Sequence, residues 1–344
     1  MIGAGVIGYG YWGPNLVRNL SETPGGQVLA VSDVSEERLA LAQRRYPSIR
    51  TTTTWCDLIA DPRVDAVVIA TPVSTHFELA MAALRAGKHV LVAKPLAASA
   101  VQARQLIDES ERRRLVLMVD HTFVYTGAVR KIRELVGHPD FGDLYYYDAV
   151  RVNLGLFQHD VNVIWDLAVH DLSIMDHVLP ERPRAIAATA MSHVAGTPEN
   201  IAYLTVFFAS RIIGHIHVNW LAPAKVRQTL ICGSQQMIVY DDNEPSEKVK
   251  IYERGVTVNG AGNPEQLYRL LVGYRIGDMR APRLDTTEAL RRETTHFLDC
   301  IERGTRPLTD GIAGLRVVQM LEAADRSLAE GGRPVALSLD GGAA

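Results

Sequence analysis

The sequence predicts an α/β fold in which an N-terminal doubly wound parallel sheet is followed by a C-terminal α+β domain with an open, largely antiparallel sheet. Up to about residue 120, short apolar runs alternate with longer amphipathic stretches, which is typical of βαβ units. Beyond that point, strand-length runs follow one another through short links, as in antiparallel hairpins. The 344 residues exceed the size at which one hydrophobic core stops growing, so we expect two domains, 1–120 and 121–344.

Five apolar runs of the first domain are predicted strands, at residues 6–7, 28–31, 67–70, 90–92 and 116–119. Apolar residues at helical spacing predict helices at 15–20, 35–45, 77–86 and 100–113. In the second domain we expect helices at 128–136, 162–179, 287–303 and 312–329. Strands are expected there at 144–152, 201–208, 212–220, 228–232 and 237–240.

Charge and cysteine content exclude several classes of protein. The formal net charge is −3, so the chain lacks the basic excess of a nucleic-acid-binding protein. No apolar run approaches the roughly 20 residues that cross a bilayer, and no leader pattern is seen, so we expect a cytoplasmic location without a membrane partner. Cys56, Cys232 and Cys300 lie far apart and lack a paired-ligand spacing, which favours a reducing compartment.

A glycine-rich segment, Gly8–Gly13, follows the first predicted strand and leads into a helix at Pro14. Glycines at this spacing permit a tight turn, close approach of the backbone to a pyrophosphate, and close packing of helix on strand. The alternative is that they only form a turn. The loop residues expected to contact a dinucleotide are Gly8, Gly10, Tyr11, Trp12 and Gly13.

Asp33 provides a second, independent signal for a nucleotide. It ends the second predicted strand 20 residues beyond Gly13, where a carboxylate accepts hydrogen bonds from ribose hydroxyls. Its charge would repel a 2′-phosphate, and no Arg or Lys follows before Arg38. The expected cofactor is therefore NAD rather than NADP.

Thr71, Pro72 and His76 follow another predicted strand, at the edge where α/β sheets hold ligands. We expect them to flank the cofactor, the alternative being a turn and a helix start. Lys94 follows the strand at 90–92, where an ammonium group could stabilise a developing alkoxide. The alternative for Lys94 is a surface lysine beside a loop proline.

Asp166 and His170 are four residues apart in a helix-like stretch and so project from one face. A carboxylate beside an imidazole fixes its tautomer and supports the imidazolium that forms when it takes a proton. Apolar neighbours favour a buried, functional pair over a surface contact. A metal site is not expected because His159 and His170 lack the short spacing of zinc ligands, and no Gly-x-Ser-x-Gly elbow suggests a hydrolase.

These features together resemble the glucose-fructose oxidoreductase and inositol dehydrogenase family (Gfo/Idh/MocA), over nearly the whole chain. The resemblance implies an NAD-binding Rossmann domain. In that family the lysine of a Glu-Lys-Pro motif after the fifth strand is catalytic, and the histidine of Asp-x-x-x-His is the acid/base. Lys94-Pro95 and Asp166 with His170 fall on those positions, whereas Ala93 stands where the family usually has glutamate.

Gly-Tyr-Trp-Gly-Pro-Asn at 10–15 and Arg-Val-Asn-Leu-Gly-Leu-Phe-Gln at 151–158 resemble the branch that acts on nucleotide-linked and amino sugars. The resemblance implies oxidation at carbon 3, which makes a ketone for a partner aminotransferase. It also implies a homodimer or homotetramer that pairs through the open sheet.

The sugar would be held by polar residues of the second domain, each of which could equally be an ordinary sheet or interface residue. The candidates are Arg151, Asn153, Asn162, Lys225 and Arg227. A sugar diphosphate would need the cationic ones among them. An aminoglycoside would instead need carboxylates such as Asp160 or Asp241.

Three functions remain open on the sequence. The first is NAD-dependent oxidation of a secondary alcohol on a sugar ring, and the second is its reverse, ketone reduction in deoxysugar or antibiotic biosynthesis. The third is a non-catalytic NAD-binding regulator, which Ala93 favours. Retention of Lys94, Asp166 and His170 together argues against the regulator.

Overall fold

The computed structural model describes residues 1–155, 161–253, 255–258, 272–275 and 277–339. The chain forms two compact units. Unit 1 contains Met1–Thr126 and Thr286–Glu322, and unit 2 contains Gly127–Asp285 and Ala323–Ser338. The predicted domain boundary after residue 120 lies close to the point where the chain passes from unit 1 to unit 2, after Thr126. The prediction did not include the return of residues 286–322 to unit 1.

The helices over the described residues are α1 (Gly13–Glu22), α2 (Glu36–Arg45), α3 (Trp55–Ala60), α4 (Val73–Arg85), α5 (Ala100–Arg113), α6 (Gly127–Val136), α7 (Val169–Val178), α8 (Ala289–Arg303) and α9 (Gly311–Ala329). The strands of unit 1 are β1 (Ile2–Ile7), β2 (Gly26–Ser32), β3 (Arg50–Thr52), β4 (Ala66–Ile69), β5 (His89–Ala93) and β6 (Leu117–Asp120). Those of unit 2 are β7 (Leu144–Leu154), β8 (Ala185–Met191), β9 (Ile201–Phe207), β10 (Ile213–Asn219), β11 (Leu221–Gly233), β12 (Met237–Asp241), β13 (Val249–Tyr252), β14 (Gly255–Val258), β15 (Val272–Arg275), β16 (Met279–Arg280) and β17 (Val335–Ala336).

Unit 1 is a doubly wound sheet of parallel strands in the order β3-β2-β1-β4-β5-β6. Its central strands are buried along their length, as expected for a sheet with helices on both faces. The order reverses between β1 and β4, and ligands bind such sheets at the carboxyl ends of the strands beside this switch point.

α8 belongs to unit 1 because of its apolar face. Phe297 and Leu298 are buried in the same core cluster as Leu16 and Leu20 of α1. The helix is also tied to α1 by a hydrogen-bonded ion pair between Arg18 and Glu288. A carboxylate of α8 can therefore lie inside unit 1.

Unit 2 is built on a sheet in the order β16-β13-β12-β11-β7-β10-β9-β8-β17 among the described residues. Its neighbours are antiparallel except for β7 and β10, which run parallel. β14 and β15 pair separately. The predicted fold class, a parallel Rossmann sheet followed by an open and largely antiparallel one, is confirmed. Among the described residues, no helix is both long and apolar enough to cross a membrane.

Candidate active site

The glycine-rich loop of unit 1 joins β1 to α1 in a conformation that requires its glycines. Gly8 has φ +97°, which an L side chain rarely adopts. A Cβ on Gly13 would lie 2.1 Å from the carbonyl oxygen of Gly8, so the helix approaches the strand only because that atom is missing. A Cβ on Gly10 would meet only the guanidinium of Arg38, at 3.6 Å. The loop therefore leaves its backbone open beside the N-terminus of α1, which suits a pyrophosphate.

Asp33 lies at the end of β2 and is bound to this loop. Its Oδ2 accepts a 2.6 Å hydrogen bond from the backbone N–H of Tyr9, and its Oδ1 accepts one from Ser35 at 2.9 Å. The guanidinium of Arg38 is 3.7 Å from Oδ2. A carboxylate oxygen has two lone pairs, so each oxygen of Asp33 keeps one for a ribose hydroxyl. The residues present fit an adenosine dinucleotide.

His76 lies at the other side of the switch point, in α4, and is only 1% exposed. Its Nδ1 lies 2.8 Å from the carbonyl oxygen of Pro95, and its Nε2 lies 2.9 Å from that of Thr71. Burial lowers the pKa of His76, although the two carbonyls oppose that shift. The ring thus joins the loops after β4 and β5, which favours a positioning role over direct contact with the cofactor.

Lys94 follows β5 and is half-buried, with a cis peptide bond to Pro95. Its charge contributes to the lowered pKa of His76, so the two side chains lie in one electrostatic environment. The neighbouring residues Thr71 and Pro72 lie at the start of α4, where the Thr71 hydroxyl is 2.7 Å from that of Thr75. Within unit 1, the structure therefore brings the predicted cofactor residues and Lys94 to the carboxyl edge of the sheet.

In unit 2, Asp166 lies within a π-helical turn, Ile164–Ala168, that leads directly into α7. The indole Nε1 of the fully buried Trp220 donates a 3.0 Å hydrogen bond to Asp166 Oδ2. His170 lies in the first turn of α7, and its backbone carbonyl accepts from the Ser173 hydroxyl at 2.7 Å. Since π-helical turns often occur at functional sites, the segment that carries Asp166 and leads to His170 is a candidate for function.

The π-helical turn is fixed by a second carboxylate, Asp325, which the sequence did not single out. Its two oxygens accept hydrogen bonds from Asn162 Nδ2 at 3.1 Å and from Trp165 Nε1 at 2.6 Å. The Asn162 side-chain oxygen in turn accepts from the N–H groups of Ile164 and Trp165. Asn162, predicted to contact the sugar, therefore caps the segment that carries Asp166.

Arg151, also predicted to contact the sugar, is 3% exposed. Its Nε and Nη2 donate to the two carboxylate oxygens of Asp171 at 2.7 and 3.0 Å. Burial would lower the pKa of Arg151, but the charge of Asp171 raises it above its ordinary value. This geometry favours a structural ion pair over a phosphate clamp.

The remaining substrate candidates lie on or beside β11. Arg227 is half-buried and its Nη1 is 3.3 Å from Asp242 Oδ2, whereas Lys225 is exposed. The pairing of β11 with β7 shifts between Leu221 and Val226, so a bulge that includes Lys225 lies opposite Asn153. Asp241 is half-buried in β12. Two residues considered from the sequence, His159 and Asp160, lie outside the described residues.

Within the described part of the chain, no group of three or more His, Cys, Asp or Glu side chains could hold a metal ion. Trp220 and Asp325 are not among the residues predicted from the sequence, because nothing in their sequence neighbourhood reveals which carboxylate or indole they contact.

Comparison with known proteins gives matches in both units. Residues 2–121 match the oxidoreductase family with an NAD-binding Rossmann fold (GFO_IDH_MocA), and residues 129–239 match the GFO/IDH/MocA C-terminal domain. The UDP-N-acetylglucosamine 3-dehydrogenase of Acidithiobacillus ferrooxidans is 28% identical over 342 residues, covering 91% of this chain and 93% of the relative.

Two solved structures are similar over almost the full length. The Acidithiobacillus ferrooxidans dehydrogenase GnnA has a TM-score of 0.78 and 27% identity, covering 95% of this chain and 100% of that one. GenD2 from gentamicin A biosynthesis, solved in complex with NAD, has a TM-score of 0.82 and 25% identity, covering 98% of this chain and 96% of that one.

Proposed function

Because the chain belongs to the Gfo/Idh/MocA family and is an NAD-dependent oxidoreductase of the sugar dehydrogenase type, we propose that it oxidises carbon 3 of a nucleotide-linked or amino sugar to a ketone. The observation that carries the proposal is the hydrogen bond from Trp220 to Asp166, which fixes a carboxylate one helical turn before His170. The similarity to a UDP-N-acetylglucosamine 3-dehydrogenase and to GenD2 supports the substrate class.

In this mechanism, each catalytic candidate takes the role that the family resemblance implies for it. His170, oriented by Asp166, removes the proton from oxygen as the carbon–oxygen double bond forms, and its imidazolium is stabilised by the carboxylate. The Lys94 ammonium stabilises the negative charge that develops on that oxygen. Bound NAD⁺ supplies the acceptor for the hydride that leaves the same carbon. Asp33 and the glycine-rich loop bind and orient the dinucleotide.

The cationic side chain on the β11 bulge supports a nucleotide-linked sugar over an aminoglycoside. Lys225 is exposed, so its ammonium group is accessible to a diphosphate. An aminoglycoside would need carboxylates instead, and Asp241, the candidate among the described residues, is half-buried. We therefore place UDP- and dTDP-sugars first.

The test measures NADH formation with a panel of UDP- and dTDP-sugars, free amino sugars and aminoglycosides, with chemical trapping of the product ketone. Turnover with a UDP- or dTDP-amino sugar and a ketone at carbon 3 would support the proposal. His170→Ala should lower turnover by about 10²–10⁴-fold while NADH still binds, because only the acid/base is removed. His138→Ala, an exposed histidine of the same unit, is the matched control.

A different oxidised carbon, or turnover only with aminoglycosides, would refute the substrate assignment and leave the dehydrogenase chemistry standing. Turnover only when NADH and a keto sugar are supplied would establish the reverse, reductive direction. NADH binding without turnover in either direction would favour the non-catalytic regulator that Ala93 suggests.

Two partners follow from the same proposal. A 3-keto sugar is the substrate class of an aminotransferase, so such an enzyme would consume the product. Homo-oligomerisation is supported by large apolar side chains on one face of β8–β10, namely Met191, Tyr203 and Ile213, which are 61%, 44% and 48% exposed. Sedimentation analysis of the purified chain would test it, and a monomer would contradict it.

A further inference from the structure

Two carboxyl groups lie together inside unit 1 and take no part in the mechanism above. Asp120 ends β6 and is 3% exposed, and Glu293, from α8, is 0% exposed. Neither oxygen of the Glu293 carboxyl has a hydrogen-bond partner among the described residues, and the charge of Asp120 acts on it. Two ionised carboxylates in this position would destabilise unit 1, because burying a charge costs free energy unless it is paired.

The hydrogen bonds around Asp120 show which member of the pair carries the charge. Its Oδ2 accepts a 2.5 Å hydrogen bond from the indole Nε1 of Trp12, and its Oδ1 accepts one from the Thr122 hydroxyl at 2.5 Å. A threonine hydroxyl has one proton, and Thr122 gives it to Asp120. An ionised Glu293 would thus be a second buried anion beside Asp120.

A proton on Glu293 removes this conflict. The pair then holds one negative charge instead of two. Burial raises the pKa of Glu293 well above its ordinary value of 4.5, and the charge of Asp120 raises it further. Tyr125 also interacts with Glu293, and its own pKa is raised by burial, so it stays neutral. The negative charge therefore stays on Asp120, facing Trp12.

Trp12 connects this charge to the cofactor loop. It is the residue that precedes α1, and its carbonyl oxygen accepts the first helical hydrogen bonds, from Asn15 at 3.0 Å and Leu16 at 3.4 Å. Its ring packs against the core cluster of unit 1. Holding the indole at Asp120 therefore fixes both the glycine-rich loop and the first turn of α1.

We propose that Asp120 and Glu293 are positioning residues for NAD: the Asp120 carboxylate, supported by the neutral Glu293 side chain, anchors the Trp12 indole and so holds the glycine-rich loop in its binding conformation. The inference concerns the cofactor alone and does not depend on which sugar is oxidised. The anchored Trp12 sets the conformation of the loop before the dinucleotide binds, which lowers the entropic cost of binding.

The test is a double-mutant cycle on NADH affinity, measured by isothermal titration calorimetry with the full chain. Trp12→Phe keeps an aromatic ring but removes the indole N–H, and Asp120→Ala removes the acceptor of that N–H. Each should weaken NADH binding by about tenfold, because a hydrogen bond to a charged group is lost. The double variant should bind within about twofold of either single variant, since both break the same contact.

Conservative variants distinguish positioning from a general structural defect. Asp120→Asn keeps a neutral acceptor for Trp12, and Glu293→Gln keeps a neutral side chain of the same size. Glu293→Gln should bind NADH within about twofold of wild type, and Asp120→Asn should lie between wild type and Asp120→Ala, because a neutral acceptor replaces a charged one. Trp55→Phe, a half-buried tryptophan of α3, is the matched control and should have no effect.

Two results would overturn the proposal. In the first, the double variant binds about a hundredfold more weakly than wild type, which means that Trp12 and Asp120 act independently. In the second, Glu293→Gln weakens binding as much as Asp120→Ala, which means that an ionised Glu293 is required. Trp12→Phe alters one half-buried residue only, so its NADH affinity still tests the contact if Asp120→Ala does not fold.

Discussion

The buried ion pair between Arg151 and Asp171 allows a direct test of whether a predicted substrate residue is structural. Arg151→Met keeps most of the length of the side chain and removes the guanidinium. The change leaves the Asp171 carboxylate, 2% exposed, without the two donors that it has at 2.7 and 3.0 Å. We therefore expect a loss of stability, with little effect on the affinity for a sugar.

The expected loss follows from the burial of both partners. Removing one partner of a buried ion pair costs about 3–5 kcal/mol, because it leaves an uncompensated charge in the interior. For a unit of this size, that corresponds to a fall on the order of 10 °C in the thermal unfolding midpoint. The double variant Arg151→Met with Asp171→Leu should recover most of the loss, since an apolar pair of similar volume is often as stable.

The assay is urea unfolding followed by circular dichroism, with Arg280→Met as the matched control. Arg280, also in unit 2, pairs with Glu253 at 3.5 Å, and the two side chains are 52% and 44% exposed. A pair that solvent reaches contributes only about 0–1 kcal/mol, so the control should unfold close to wild type. The contrast between the two arginines isolates the effect of burial.

One result would refute this reasoning. If Arg151→Met unfolds within about 1 kcal/mol of wild type and instead raises the KM for the sugar, Arg151 leaves Asp171 to bind substrate. The sequence-based assignment of Arg151 as a phosphate ligand would then be correct.

Three further outcomes are expected. Because folding raises the pKa of Glu293, its contribution to stability is complete below pH 4.5 and is lost as the pH rises from 4.5 towards the folded pKa. Over that range, the free energy of unfolding of wild type should fall by about 1.4 kcal/mol per pH unit relative to Glu293→Gln. The same pH dependence in both proteins would contradict this. Trp220→Phe should lower kcat by about tenfold with NADH affinity unchanged, as Asp166 loses its indole donor; unchanged kcat would remove Trp220 from the site. Asp33→Asn should weaken NADH binding and reduce discrimination against NADPH, because the charge that repels a 2′-phosphate is gone; an unaltered ratio of the two affinities would argue against that role.

The architecture was predictable where local pattern and fold agree. Alternating apolar and amphipathic runs gave the central strands of the parallel sheet, and the spacing of Gly8–Gly13 and Asp33 gave the cofactor edge. The short elements Arg50–Thr52 and Trp55–Ala60 were missed because three to six residues hold too little periodicity to detect. Helical periodicity also predicted residues 287–303 as a helix, but it cannot tell which sheet the apolar face packs on, so the return to unit 1 was missed.

The sequence predicts which residues are candidates for the site better than it predicts their hydrogen-bond and ion-pair partners. Lys94, Asp166 and His170 followed from position and spacing, and their roles remain to be tested. Asn162 and Arg151 were selected because polar residues near a sheet often bind sugars. In the structure, Asn162 contacts the backbone of the π-helical turn and Arg151 contacts Asp171. Neither contact can be inferred from the order of residues along the chain.

Ala93, where the family usually has glutamate, gains a physical explanation from the register of β5 and β6. It is paired with Asp120 in the parallel sheet, and paired residues of parallel strands present their side chains on the same face. A glutamate at 93 would add a third carboxyl group beside Asp120 and Glu293, where one negative charge is already held. We therefore expect Ala93→Glu to weaken NADH binding and lower stability, and Ala93→Gln to do so less. If Ala93→Glu instead binds NADH as tightly as wild type and raises turnover, the chain has lost a carboxylate that its lysine needs.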